Sequence, residues 1–176
     1  MHMRASGRKV SAWLPVVLWM GVIFTASTHY GSTSNTTSVL EPLVMWVAPD
    51  TPPEQFDQVH HLVRKAAHFT EYAVLALLAL RALRMTAGRR LGKSHLRAGG
   101  LILLFVAAYA STDEYHQSLV TERGPSVYDV LIDTSGALAA LTVLGLVERT
   151  KRQTKENSPA MEPVAANVHA EPARHR

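Results

Sequence analysis

S-T-D-E-Y-H-Q-S-L-V-T-E-R-G-P-S-V-Y-D-V-L-I-D-T-S-G-A-L-A-A, residues 111–140, sets Asp113, Glu114, His116, Gln117, Glu122, Arg123, Asp129 and Asp133 between two apolar runs. The run before it, 98–112, is A-G-G-L-I-L-L-F-V-A-A-Y-A-S-T, and the run after it continues to Val147. Ionisable groups at the ends of long apolar segments are costly, so they have partners or a task. The T-E-R-G-P-S between the runs carries turn chemistry. The stretch therefore predicts two helices, each long enough to cross a bilayer, joined by a short turn at residues 121–126.

Upstream, Leu62 to Leu83 is a further span, charged at its start by Arg64 and Lys65 and near its end by Arg81. Arg81, Arg84, Arg89, Arg90, Lys93 and Arg97 then make a basic connector. Farther out, Val10 to Tyr30 contains no charged residue over 21 positions, and a membrane helix needs about 20. Trp13 and Tyr30 near its ends suit the aromatic belt of a bilayer. A cleaved signal peptide ending near T-A-S is the rival for this segment, but its length and the spans that follow favour a retained helix. Between the first two spans, residues 31–59 carry Glu41, Asp50, Glu54 and Asp57 and no Lys or Arg. Within that loop Val39 to Val47 suits a short helix on the membrane surface, and Pro42, Pro52 and Pro53 argue against a further crossing.

Charge then sets the topology. Bases crowd residues 1–9, the Arg81–Arg97 connector and the start of the tail, whereas the alternate loops are acidic with Arg123 as their base. The positive-inside rule reads this as four spans with both termini cytoplasmic. The fold expected is all-α, an integral membrane bundle of four helices with a short interfacial helix in the first outer loop. Its parts are a basic N-terminus (1–9), a membrane domain (10–147) and a disordered cytoplasmic tail (148–176), poor in large apolar residues. A soluble four-helix bundle would explain neither the uncharged opening span nor the alternation of loop charge.

Composition adds exclusions. The chain has 176 residues, a formal charge of +4 and no cysteine, so disulfides and thiolate metal sites are ruled out. No P-loop, G-x-G-x-x-G or G-x-S-x-G occurs, and nothing beyond basic tails suggests nucleic-acid recognition.

In the four-span topology the polar stretches meet at one depth. Lys65, His68 and Tyr72 share a helix face with Glu71 at its edge, as do Asp113, His116 and Gln117 on the next helix. Asp129, Asp133, Gly136 and Ala140 share a face of the last. The convergence predicts one outward-facing polar pocket drawn from Lys65, His68, Glu71, Tyr72, Asp113, Glu114, His116, Gln117, Arg123, Asp129 and Asp133. Plainer structural readings stand beside it. Ser126 and Asp129 fit a helix-capping box, Gly136 and Ala140 fit close helix packing, and Lys65 and Arg64 fit snorkelling to lipid phosphate. Glu114 and Glu122 fit solvated loop acids, and His68 with Asp113 or Asp133 fits a pair that only joins helices. The same His, Asp and Glu side chains are ligand types that Zn²⁺ or Mn²⁺ accept, which leaves a divalent metal open; no other cofactor is expected. Without metal, a His beside a carboxylate can act as a base, and Lys65 with Arg123 can hold a phosphate.

The chain resembles the VanZ-like family of bacterial membrane proteins. The resemblance rests on the ordered set W-M-x-x-I-F-x-x-S (19–27), R-K-x-x-H-F-x-E-Y-x-x-L (64–75), D-E-x-H-Q (113–117), R-G-P-S-x-x-D (123–129) and D-x-x-G (133–136). Asp133 departs from the Asn that many members carry and adds a negative charge. The resemblance implies a multi-pass protein of the bacterial inner membrane, with membrane lipids as partners and a link to tolerance of the glycopeptide teicoplanin. Two functions follow as expectations. In one, the pocket binds an envelope component, such as a lipid-linked precursor or a glycopeptide; in the other, it is a hydrolase or transferase site acting on a lipid-linked phosphate.

Overall fold

A computed structural model describes residues 2–27, 33–87, 95–120 and 126–157. They form five helices: α1 (His2–Ala26), α2 (Thr33–Val47), α3 (Pro53–Thr86), α4 (His95–Val120) and α5 (Val127–Asn157). No strand occurs among the described residues. α1, α3, α4 and α5 are each long and apolar enough to cross a membrane. With large apolar residues such as Leu18, Leu104 and Leu131 exposed on their outer faces, they make a multi-pass membrane protein.

α3 is the central element and packs on each of the other four, most extensively on α5. Tyr72, Leu75, Ala76, Ala79 and Ala82 are buried along it at the i, i+3, i+4 spacing of one helix face. Ala12, Val16 and Ile23 of α1, and Ala98, Ile102, Val106 and Ala110 of α4, complete the core. Alanines dominate because lipid supplies no hydrophobic drive between helices, so close packing and interhelical hydrogen bonds must hold them. Those bonds are present. The Trp19 indole donates to the Glu71 carbonyl at 2.9 Å, Tyr109 to the Met20 carbonyl at 2.6 Å, and Trp13 to the Thr86 hydroxyl at 3.3 Å. Arg84 forks onto Glu148 at 2.6 and 3.1 Å, tying α3 to α5 at one end of the bundle.

Several boundaries differ from the sequence reading: α1 begins at His2 rather than Val10 and α2 at Thr33 rather than Val39, and two further helices run past their expected ends. α3 begins at Pro53 rather than near residue 62, because Pro53 suits a first helical position and Glu54 complements the positive end of the helix dipole. Its 34 residues rise about 51 Å at roughly 1.5 Å each, well beyond a hydrocarbon core of about 30 Å. α5 likewise continues to Asn157, so residues 148–157 of the expected disordered tail are helical. R-T-K-R-Q-T-K-E is rich in good helix formers, and a helix already nucleated in the bundle adds them at little cost. The rest of that tail lies outside the described residues.

Candidate functional site

The helix register carries the polar residues to one end of the bundle. On α4 the buried stripe Ala98, Ile102, Val106, Ala110 runs on at the same spacing into Asp113 and Gln117, so the face that packs the core becomes a polar wall. Opposite it stand the first half of α3 and the start of α5. At Gly136 the backbone of α5 lies against α3: a Cβ there would fall onto the Phe69 carbonyl oxygen and lie 3.1 Å from the Phe69 Cα. This close crossing sets Asp133, one turn earlier, beside His68.

Asp113 is the most heavily used side chain. Its Oδ2 accepts from the Ser27 hydroxyl at 2.9 Å, the Gln117 amide at 3.0 Å and the Tyr72 hydroxyl at 3.3 Å. Gln117 also donates to Ser27 at 3.2 Å and accepts from Arg64 at 3.3 Å. Ser27 therefore brings α1 into a site that the sequence reading drew from three helices. Its signal was its place at the end of the uncharged span, level with the other polar groups.

A cleft of ≈ 310 Å³, including its open mouth, lies between α3, α4 and α5. His61, Arg64, Lys65, His68, Glu114, Gln117, Asp129, Ile132 and Asp133 line it. Space open to the centre of a water molecule is ≈ 20 Å³, enough for a water or two. Lys65 pairs with Asp129 at 3.0 Å. His68 Nδ1 stands 3.5 Å from Asp133 Oδ1, an ion pair when the imidazole is protonated but too long for a good hydrogen bond, and both buried atoms lack a hydrogen-bond partner among the described residues. Asp113 Oδ1 is orphaned in the same way.

The remaining candidates divide. Half-buried Glu71 is within electrostatic reach of His68, Asp113 and Asp133 but does not line the cleft. His116 turns away to stack against Phe24 of α1, with ring centroids 4.3 Å apart, and its buried Nδ1 has no partner among the described residues. Glu114 is buried rather than solvated, and accepts from the Ser126 backbone N–H at 2.8 Å. The capping box is thereby split. Ser126 Oγ accepts the Asp129 N–H at 3.3 Å, while Glu114 from α4 takes the reciprocal place and frees the Asp129 carboxylate for Lys65. Arg123 and Glu122 lie outside the described residues. His61, unremarked in the sequence, lines the cleft one turn before Lys65. Among the described residues no three His, Asp or Glu side chains are grouped to hold a metal ion.

The sequence model of the VanZ/LLP1 family matches residues 12–148, most of the chain and all of the site. No curated protein and no solved structure matches it.

Proposed function

Because the chain belongs to the VanZ/LLP1 family, we propose that it sits in the bacterial inner membrane and binds the polar head of an envelope component in the α3–α4–α5 cleft. In this reading the cleft opens to the outer face, both termini are cytoplasmic and α2 lies along the outer surface. The ligand is a lipid-linked precursor or an acylated glycopeptide, and the link to teicoplanin tolerance comes with the family resemblance. The supporting observation is the buried pair of facing atoms, His68 Nδ1 and Asp133 Oδ1, 3.5 Å apart and without a hydrogen bond among the described residues, at the wall of a cleft flanked by Arg64 and Lys65. A buried polar group left unsatisfied costs about 1–3 kcal/mol, which a ligand supplying a donor and an acceptor recovers. Arg64 and Lys65 suit a phosphate or carboxylate on the same ligand.

The second reading, hydrolysis or transfer on a lipid-linked phosphate, draws on the same pair: a His beside a carboxylate is the arrangement of a general base and the group that orients it. One experiment separates the two. Purified protein in lipid nanodiscs is melted with and without a lipid-linked diphosphate or teicoplanin, and each mixture is assayed for released product. Binding predicts a raised Tm, lost in His68→Ala and Asp133→Ala, with no turnover. Product formed by the native chain but by neither variant would establish the enzyme reading. No Tm shift and no product, or shifts that survive both substitutions, would overturn the site.

A further inference from the structure

The opposite end of the bundle holds a second, larger space with a different chemistry. A groove of ≈ 1260 Å³, including its open mouth, lies between α4 and α5, walled by Leu103 and Leu138. Gly99, Gly100 and Gly145 also line it, and a Cβ on any of them would meet open space. They contrast with Gly136, where backbone fills the position. Along α5 the lining runs from Leu138 to Arg152, about 21 Å at roughly 1.5 Å per residue. Half of a hydrocarbon core is about 15 Å. Measured from Arg152 at headgroup level, the groove thus reaches to about mid-bilayer, the depth of one leaflet.

Its charge is at the outer rim of that leaflet. Arg149 and Arg152 lie on the groove and are exposed, and neither has an ion-pair or hydrogen-bond partner among the described residues. The acid beside them, Glu148, is held by the Arg84 fork. A free inorganic anion would use the guanidinium groups but not the apolar length behind them. A neutral lipid would use the length but not the two cations. We propose that this groove holds an anionic phospholipid, with one acyl chain along Leu103, Gly145 and Leu138 and its phosphodiester between Arg149 and Arg152. Guanidinium groups bind phosphate oxygens with two parallel N–H donors, which fixes the headgroup as well as attracting it.

The test uses the full chain purified in detergent and titrated with phosphatidylglycerol, phosphatidylcholine or inorganic phosphate, with bound lipid counted by native mass spectrometry and Tm read in parallel. Phosphatidylglycerol should bind in preference and raise Tm. The double variant Arg149→Gln/Arg152→Gln should weaken it about thirtyfold, at the energy expected for two cations near a lipid surface. Arg149→Lys/Arg152→Lys should keep most of the preference, which guards against loss of fold in the Gln variant. Gly145→Leu, a change into open space, should fill the groove and reduce retention of phosphatidylglycerol while leaving the lipid-free Tm unchanged. Equal binding of the two lipids, or a preference that survives loss of both arginines, would overturn the proposal. So would an equal Tm rise with inorganic phosphate, or a dimer whose formation Gly145→Leu abolishes with no change in lipid count.

Discussion

Asp113 concentrates three donors on one oxygen and leaves the other without a hydrogen bond among the described residues. Asp113→Ala takes the acceptor from the Tyr72 and Ser27 hydroxyls together, so we expect a loss of about 2 kcal/mol in detergent unfolding titrations. Asp113→Asn keeps an acceptor in place and should cost about half as much or less. His68 and Asp133 should behave differently. At 3.5 Å they share no hydrogen bond, so a double-mutant cycle of His68→Ala and Asp133→Ala should give a coupling below about 1 kcal/mol without ligand. A coupling of several kcal/mol would mean the pair exists to hold α3 on α5. The sequence showed which residue types share a depth, since helical spacing alone places Asp113 with Gln117 and Lys65 with His68. It could not show that His116 faces Phe24, or that Glu114 caps Ser126. Both depend on the rotation of α4 about its axis, which neighbouring side chains set and no periodicity encodes.

At the scale of the helix, the α3–α5 crossing decides where the site lies. Gly136→Ala would drive a Cβ into the Phe69 carbonyl, and main chain on both sides leaves nothing that can swing away. We expect at least about 3 kcal/mol of destabilisation, the upper end for overpacking, and loss of any ligand-dependent Tm shift, because Asp133 rides on the same turn. Gly21→Ala, where a Cβ meets nothing within 4 Å, should leave stability within about 0.5 kcal/mol. Both glycines sit in apolar helices, so their sequence surroundings hardly distinguish them. The spacing of Gly136 and Ala140 did suggest close packing at Gly136, but the partner, the Phe69 backbone, is more than sixty residues away. The four crossings themselves were legible, because an apolar run of twenty residues has few other uses. Helix ends were less so: hydropathy falls at residues 62 and 148, whereas α3 and α5 run past both into segments whose helical propensity lies outside any apolar run.

For the whole molecule, the two ends of the bundle differ in charge, and the positive-inside rule turns that difference into an expected orientation. One end carries Arg81, Arg84, Arg97, Arg149, Lys151, Arg152 and Lys155 and receives the start of α1 with Arg4, Arg8 and Lys9. The other carries Glu41, Asp50, Glu54 and Asp57, then the cleft, where Lys65 is paired with Asp129 and Arg64 donates to Gln117. Lys and Arg within about 15–20 residues of a span resist translocation, whereas acids hardly matter. We therefore expect the ten bases named at the first end to stay in the cytoplasm, and an even number of crossings to put both termini there. Reporter fusions after Leu40, Gly92, Arg123 and Glu156 should read outside, inside, outside and inside. That orientation would turn the cleft toward the cell exterior, within reach of the envelope ligand proposed for it. It would also turn the arginine-rimmed groove toward the cytoplasmic leaflet, where anionic lipid concentrates in many membranes. A Gly92 fusion active outside would invert both assignments at once: the cleft would face the cytoplasm, out of reach of an external glycopeptide, and could not bind an outer envelope component even with its geometry intact.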